Sequence, residues 1–215
     1  MKSIRLAVAV LVSILPINAL RVLGYRFLFG YRIRQARIGF GTVIAVSEAQ
    51  IDSCRIGPFN LFAGPMSILI EEGASIGSRN TFSCGYWTSQ EKYRSAGYAR
   101  RLEIGRDALI TTGHYFDVAG AFRLGARSWA AGVGSQFWTH GAGVRDRDVS
   151  IGEDCYLGSA VRFSPGSAVG NHVVVAMGSV VSRKFDGSHA LLGGVPAQVL
   201  KENYDWKQGD MADAE

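Results

Sequence analysis

The sequence predicts an all-β fold of the parallel β-helix type, and three observations lead to this prediction. Apolar residues recur at every sixth position of the stretch 149–181, namely Ile151, Leu157, Phe163, Val169, Val175 and Val181. A small residue follows each of them, and the chain holds 27 glycines, many of them at repeat corners. A period of six fits neither a helix nor an alternating strand, but it suits stacked copies of one short strand and a corner.

Three such units predict one triangular coil, with the apolar side chain pointing to the coil axis and strands about 4.8 Å apart. The coil is expected to begin near Ile33 or Ile38. The phase of the repeat slips near Ile51 and Ile68, which predicts small bulges there. The hexads that precede the regular stretch start at Ile38, Ile44, Ile56, Phe62, Ile70, Ile76, Phe82, Ile104, Ile110, Phe116, Leu124, Ala130 and Gln136.

Two segments interrupt the repeat and predict inserted loops. Residues 85–101 carry four aromatic and four basic side chains, and a second excursion covers 140–148. Long excursions from a repeat usually lie on one face and often carry function. Rings and guanidinium groups suit sugar faces and phosphates, while packing between subunits is the structural alternative.

After Lys184 the hexads stop, and the remaining chain is expected to leave the coil. Residues 186–196 are predicted to cross over, and 197–204 to form a short C-terminal helix. The polar end, 205–215, is expected to fray. The predicted organisation is therefore an N-terminal segment over 1–31, a β-helix domain over 32–186, and a crossover, helix and tail over 187–215.

Residues 1–31 differ from the rest of the chain, because two apolar stretches separated by Pro16 are interleaved with Lys2, Arg5, Arg21 and Arg26. A signal peptide has this order of charge and apolar residues, but 18–20 is a poor cleavage site. A spanning helix needs about 20 apolar residues, more than the first stretch holds. We expect two helices lying on the membrane surface. The alternative is that they pack on the coil end or on another subunit.

The composition limits the classes of partner. The net charge is +5 and the pI is about 9.3, which favours an anionic partner. No nucleic-acid-binding motif and no long basic run occurs, so we expect no nucleic acid. Cys54, Cys84 and Cys155 fit neither a disulfide framework nor a zinc site, which indicates reduced thiols in the cytoplasm.

The order and spacing of four segments resemble a known family. Segments 151–158, 164–170 and 175–181 are similar to the last coils of the hexapeptide-repeat acyltransferases, and 194–200 resembles their closing segment. The resemblance is to the sugar, maltose and xenobiotic O-acetyltransferases. It implies a left-handed β-helix, a homotrimer, and acetyl-CoA as co-substrate.

The resemblance also implies a general base, His140, which stands where the coil opens into the second loop. A neutral imidazole can take the proton of a sugar hydroxyl as that hydroxyl attacks a thioester. The loop is shorter than in the maltose enzymes and no proline follows the histidine. The identity of the acceptor can therefore not be inferred from those enzymes. A carboxylate should orient His140, and Asp117, Glu153 and Asp146 are the candidates. Acceptor contacts are expected from Trp138, Asp117 and Trp87.

The other three histidines have weaker assignments. His114 occupies the same hexad place as His140 but at a different corner. Our hypothesis is that it contacts the acceptor from a neighbouring subunit; the alternative is a corner histidine bonded to the backbone. His172 is expected in an exposed turn and His189 in a structural position. The histidines are 17 to 32 residues apart, so no closely spaced pair suits the catalytic zinc of the γ-type carbonic anhydrases.

For coenzyme A, the resemblance implies a site along the coil between subunits. Small residues would allow close approach of the pantetheine, which would run along backbone edges as an added strand. Basic residues would bind the nucleotide phosphates. The implied set is Gly158, Ala176, Gly178, Arg183, Lys184, Val195 and Pro196.

Together these observations predict a coenzyme A-dependent O-acetyltransferase acting on a sugar hydroxyl of a surface-polysaccharide or lipid-linked glycan precursor. The expected location is the cytoplasm, with peripheral contact on the inner face of the membrane. An amine acceptor, such as an amino sugar, and a non-catalytic assembly scaffold are the alternatives.

Overall fold

The computed structural model describes residues 2–207, with side chains from Ile4 onward, and shows stacked parallel coils with three faces. Two long strands, Val43–Asp52 and Leu61–Ile70, turn a corner and so belong to both the first and the second face. The first face continues with Thr81–Ser83, Tyr115–Asp117, Gln136–Phe137, Arg162–Phe163 and Val180–Val181. The second face begins with Arg32–Arg34 and continues with Arg101–Ile104, Ala121–Leu124, Val149–Ile151, Ala168–Val169 and Lys184–Phe185.

The third face is a nine-stranded sheet whose strands are parallel except for the last. It contains Arg37–Ile38, Arg55–Ile56, Ser75–Ile76, Leu109–Thr112, Trp129–Val133, Tyr156–Leu157, Val173–Val175, Ala190–Gly194 and Ala197–Glu202. The predicted β-helix fold class is therefore confirmed.

The apolar residues of the hexads fill the axis of the coil. All six of the regular stretch, from Ile151 to Val181, are at most 4% exposed. Five phenylalanines of the first face stack one per coil, with ring centroids 4.4 to 5.3 Å apart between neighbours, at Phe62, Phe82, Phe116, Phe137 and Phe163. These distances follow the spacing of parallel strands, so the ring stack and the backbone ladders reinforce each other.

A buried polar ladder, the corner ladder, runs along the corner between the third and first faces. It consists of Asn60, Asn80, His114 and Ser135 in successive coils. Asn80 and His114 each donate their backbone N–H to the Oδ1 of the preceding Asn, at 2.9 Å in both cases. Ser135 donates its N–H to Nδ1 of His114 at 3.1 Å. The side chains thus satisfy backbone donors that the tight corner turns away from the sheets.

The N-terminal helices, Lys2–Ser13 (α1) and Asn18–Phe29 (α2), cap the open end of the first coil. Tyr25 donates its hydroxyl to the Thr42 carbonyl at 2.8 Å and accepts the N–H of Ile44 at 3.1 Å. The buried Arg21 donates to the Ile38 carbonyl at 2.9 Å. The inner side of the pair therefore packs on the coil end, as one of the two sequence interpretations expects.

The outer side of the same helices remains apolar and exposed. The most exposed of the large apolar side chains in this segment are Ile4, Leu11, Ile17, Phe27 and Leu28, at 57 to 81%. Neither helix is long and apolar enough to cross a bilayer, and this holds for every helix between residues 2 and 207.

The prediction of a C-terminal helix over 197–204 was wrong. Ala197–Glu202 is a strand that pairs antiparallel with Ala190–Gly194, which itself stacks on Val173–Val175. The final coil would otherwise end in a row of unpaired backbone groups, and a hairpin pairs them more completely than a helix would. Trp206 packs against Trp129 with ring centroids 5.3 Å apart, so the start of the tail is held. The rest of the predicted frayed end, 208–215, lies outside the described residues.

The three cysteines are buried and unpaired. Burial raises the pKa of Cys54 to about 12 and the pKa values of Cys84 and Cys155 to about 11. At neutral pH these groups are thiols with little nucleophilic character, and they serve as small core residues.

Candidate functional site

Both excursions leave the coil at one edge, the first–second corner, where the chain passes from the first face to the second. The first excursion folds as two 3₁₀ turns, Tyr86–Ser89 and Glu91–Ala96. Arg147 of the second excursion donates to the Ala96 carbonyl at 3.1 Å, and its guanidinium lies 4.1 Å from the centroid of the Tyr98 ring. These contacts hold the two loops against each other over the same corner.

His140 stands beside a buried carboxylate at this corner. Its Nδ1 lies 2.8 Å from Oδ2 of Asp117, although the ring is not turned for a straight hydrogen bond. Thr139 donates both its N–H and its hydroxyl to the same Oδ2, each at 2.9 Å. Asp117 is therefore fixed in place, while the side chain of His140 is 38% exposed. A small ring rotation aligns Nδ1–H with the carboxylate and leaves the Nε2 lone pair facing outward.

Aromatic side chains surround the imidazole. The ring centroid of Trp87 lies 5.5 Å and that of Trp138 6.3 Å from the centroid of His140, both edge-on. Tyr115 packs against Trp138 at 5.0 Å. A Cβ on Gly85 would lie 2.2 Å from Nε1 of Trp87, so the indole reaches His140 because position 85 has no side chain. The result is a partly exposed imidazole flanked by aromatic rings, which are side chains that suit sugar faces.

The structure distinguishes among the three acidic residues considered as partners of His140. Of the three, only Asp117 lies within ion-pair distance of His140 in the described part of the chain. Glu153 accepts from Arg127 at 2.7 Å, and Asp146 pairs with Lys184 at 2.7 Å. The latter pair links the second excursion to the second face.

His114 occupies a buried position on the third–first corner and is 2% exposed. Its Nε2 lies 2.9 Å from the hydroxyl of Thr111, and its Nδ1 accepts the N–H of Ser135. Burial lowers its pKa to about 4, so the ring is neutral at physiological pH. Both nitrogens are already bonded within the subunit, which favours the structural alternative over contact with an acceptor.

The residues implied for coenzyme A fall at two corners. Gly158, Ala176 and Gly178 lie on the third–first corner, and their N–H groups donate to Val175, Leu192 and Ser159 at 2.8 to 2.9 Å. Their small size allows close approach of a ligand chain, but these three N–H donors are not free for an added strand.

The remaining implied residues are partly engaged. Arg183 donates to Gln198 at 3.1 Å and lies over the Phe185 ring, and Lys184 holds Asp146. Val195 and Pro196 are joined by a cis bond at the tip of the C-terminal hairpin, where Val195 is 73% exposed.

One group in the described part of the chain has the composition of a metal site: His172, His189 and Asp205. The two imidazoles stack in parallel, with centroids 4.3 Å apart and planes inclined by 9°. In-plane lone pairs of parallel rings do not converge on one point, so this stacking does not suit a shared metal. His172 and His189 instead continue a row of corner residues with positive φ, at 56° and 55°.

Sequence reasoning missed several residues that shape the site. Thr139 anchors Asp117, Tyr115 supports Trp138, and Arg147 ties the two loops together. The corner ladder could have been predicted from the sequence, because each member stands two residues before a phenylalanine of the ring stack. The role of Arg147 could not be predicted in this way, because its partners, Ala96 and Tyr98, are about 50 residues away in the sequence.

Comparison with solved structures gives the fold. No protein-family model matches the chain. An acetyl-CoA complex of the hexapeptide-repeat acetyltransferase VCA0836 from Vibrio cholerae aligns with TM-score 0.52 and 18% identity, over 95% of this chain and 87% of that one.

Two further structures are similar. The polysialic acid O-acetyltransferase OatWY aligns with TM-score 0.55 and 19% identity, over 82% of this chain and 83% of that one. A maltose O-acetyltransferase from Clostridium difficile 630 aligns with TM-score 0.50 and 16% identity, over 94% and 85%. The stacked coils, the closing hairpin and these alignments together give the chain the fold of the hexapeptide-repeat acetyltransferases.

Proposed function

We propose that this protein is an O-acetyltransferase that moves an acetyl group from acetyl-CoA to a hydroxyl of a sugar. The observation that carries the proposal is the contact of His140 with the buried Asp117, with Trp87 and Trp138 beside the imidazole ring. A histidine held by a carboxylate through Nδ1 presents Nε2 as a proton acceptor. The three neighbours described above, acetyltransferases by name, support the same reaction class.

In the proposed mechanism, Nε2 of His140 removes the proton of the acceptor hydroxyl as its oxygen attacks the thioester carbonyl. The C–O bond forms, the tetrahedral intermediate collapses, and the C–S bond breaks. The imidazolium then returns the proton to the departing thiolate. Asp117 stabilises the imidazolium while it exists and keeps the ring in the productive tautomer. No acyl-enzyme forms on the chain.

For the donor, we propose that coenzyme A lies along the coil between subunits of a homotrimer. The small residues Gly158, Ala176 and Gly178 would face the pantetheine, and Val195–Pro196 would cover its far end. Arg183 and Lys184 would bind the nucleotide phosphates, and Lys184 would exchange its bond to Asp146 for one to phosphate. The group transferred is the acyl group of acetyl-CoA, and no metal takes part in the proposed chemistry.

The acceptor is proposed to be a membrane-proximal glycan. The support is the exposed apolar side of the N-terminal helices, which suits peripheral contact with the cytoplasmic membrane. The OatWY structure is named as a polysialic acid O-acetyltransferase, an enzyme acting on a polysaccharide.

Thiol release from acetyl-CoA tests the proposal directly. The purified protein is incubated with acetyl-CoA and a panel of neutral sugars, amino sugars and polysaccharides, and free thiol is measured with a chromogenic disulfide. We expect release that depends on an acceptor hydroxyl and is lost in His140→Ala. Release with amines alone would make the protein an N-acetyltransferase. No release with any acceptor would favour a non-catalytic scaffold.

A further inference from the structure

A groove lies between the N-terminal helices and the first coils, on the same first–second corner as His140. We call it the helix–coil groove, and it is lined mainly by apolar side chains that include Ile4, Val8, Leu28, Phe29 and Pro65. Its volume is about 410 Å³, within the range of roughly 300 to 1,000 Å³ that is typical of small-molecule sites. An open apolar groove of this size suits a hydrocarbon chain.

One cation lies within this apolar lining. Arg5 donates from Nη2 to the Val46 carbonyl at 2.7 Å, and its guanidinium lies 5.3 Å from the centroid of the Phe29 ring. Its Nε is enclosed and has no hydrogen-bond partner among the described residues. The hydrogen-bond acceptors of this guanidinium are neutral oxygens of Tyr31, Val46 and Ser47, so its positive charge can attract an anionic group. The groove therefore suits an amphiphile with an anionic group.

The first excursion links the groove to the proposed active site. Tyr86 contributes to the lining of the groove, and the next residue, Trp87, contacts His140. Along the corner, Val46 and Thr139 are separated by four coil steps, which corresponds to roughly 19 Å at the spacing of parallel strands. A few linked sugar units attached to an anionic group in the groove can span that distance.

The charge of the chain is concentrated at the same end. Residues 1–60 contain eight basic and two acidic residues, so their net charge is +6. Residues 61–215 contain fifteen basic and sixteen acidic residues, a net charge of −1, which gives the total of +5. An anionic lipid is attracted to the end of the molecule that also exposes the apolar sides of α1 and α2.

We propose that the helix–coil groove binds the hydrocarbon chain of an anionic, phosphate-linked lipid glycan, which is the acceptor of the transferase. Arg5 binds the phosphate through its guanidinium charge, and the glycan runs along the first–second corner to His140. This inference rests on the proposed function, because it names the substrate class of the same site. It adds a second binding site, one per chain, to which a free sugar does not bind.

Binding of dodecyl phosphate, measured by titration calorimetry on the full chain, tests the groove without relying on catalysis. We expect saturable 1:1 binding that weakens at least about tenfold in Val8→Trp, because the indole fills the groove. Leu11→Trp, on the 64% exposed side of the same helix, is the matched control and should bind as wild type. Arg5→Met should reduce the affinity for dodecyl phosphate to that for dodecanol. Thermal unfolding of each variant shows whether it is folded.

The outcomes separate the groove from the proposed function. Equal binding of dodecyl phosphate by Val8→Trp and Leu11→Trp would overturn the proposal that the groove binds the ligand. If both variants instead lose binding to phosphatidylglycerol vesicles, the helices dock on a bilayer and the groove proposal is wrong. If wild type binds dodecyl phosphate as expected but transfers acetyl to no sugar, free or alkyl-phosphate-linked, the transferase assignment fails and the acceptor role fails with it. Transfer to free sugars with no alkyl-phosphate binding leaves the function standing and removes the groove.

Discussion

His140 follows the buried Phe137 by three residues and His114 follows the buried Ile110 by four, yet the molecule uses the two positions differently. At the first–second corner the coil opens into loops, and His140 keeps an exposed face beside the buried Asp117. At the third–first corner the turn stays tight, and His114 becomes one rung of the corner ladder. A histidine side chain is therefore available for chemistry at one corner, whereas at the other its nitrogens are already hydrogen-bonded.

The difference lies in what surrounds each ring rather than in the histidines. Asn60 and Asn80 take the same rung position as His114 in the preceding coils, so the corner requires a polar acceptor and not an imidazole. At His140, by contrast, the carboxylate and the two tryptophans are placed around one particular ring. Four substitutions test this contrast.

The largest effect is expected at His140. Replacement by Ala removes the proposed base and should lower kcat about 10²- to 10⁴-fold, the usual contribution of general base catalysis. The thiol-release assay gives kcat, and thermal unfolding should be unchanged because the side chain is partly exposed. His189→Ala, at an exposed corner position, is the control and should retain activity. Wild-type turnover in His140→Ala would remove the mechanism.

A smaller but still large effect is expected for Asp117→Asn. The neutral amide no longer stabilises the imidazolium that forms on His140, so kcat should fall about 10²-fold or more. The KM for acetyl-CoA should remain close to that of the wild type, because Asp117 positions the base and does not bind the donor.

Glu153→Gln is the matched control for Asp117→Asn, since Glu153 was an equal candidate in the sequence but pairs with Arg127. It should stay within about twofold of wild-type kcat, in line with the small contribution of exposed ion pairs. Equal losses in the two variants would contradict the assignment of Asp117.

The next effect concerns Trp87. Its removal in Trp87→Ala takes away one of the rings beside His140 and should raise the KM for the sugar about three- to tenfold, with little change in kcat. Trp206→Ala removes a tryptophan that packs on the third face and should leave this KM unchanged. An unchanged KM in Trp87→Ala would assign the first excursion to packing between subunits.

The smallest effect on turnover is expected for His114→Asn, because Asn already fills this rung in two neighbouring coils. Its effect should appear in stability against pH. Since burial lowers the pKa of His114 from 6.5 to about 4, the unfolded chain binds more protons between these values. The contribution of His114 to the free energy of unfolding has its full value above pH 6.5. It falls by about 3 kcal/mol as the pH drops to 4.

His114→Asn should lose this part of the acid destabilisation, which can be followed by thermal unfolding between pH 7 and pH 4. A variant as acid-sensitive as wild type would show that His114 is not held neutral by burial. A large loss of kcat at pH 7 would restore the hypothesis that this histidine contacts the acceptor.

The sequence alone determined the coil and its contents. A residue buried at every sixth position can point inward only if the chain turns at fixed intervals, so the period specifies the architecture and the core from Ile151 to Val181. The excursions were visible as interruptions of the same pattern. The last strand could not be predicted, because 197–202 has no local signal that distinguishes a hairpin strand from a helix. The unpaired edge of the preceding coil decides between the two.

Only the tertiary structure decided which residues meet. Asp117, Glu153 and Asp146 were equivalent in sequence, and the stacking of coils brings Asp117 alone to His140. The same stacking places Trp87 beside that ring from 53 residues away and seats the helices against the first coils, leaving a groove between them. A repeat specifies what each coil contains, whereas the turns and excursions between coils set which side chains share a corner.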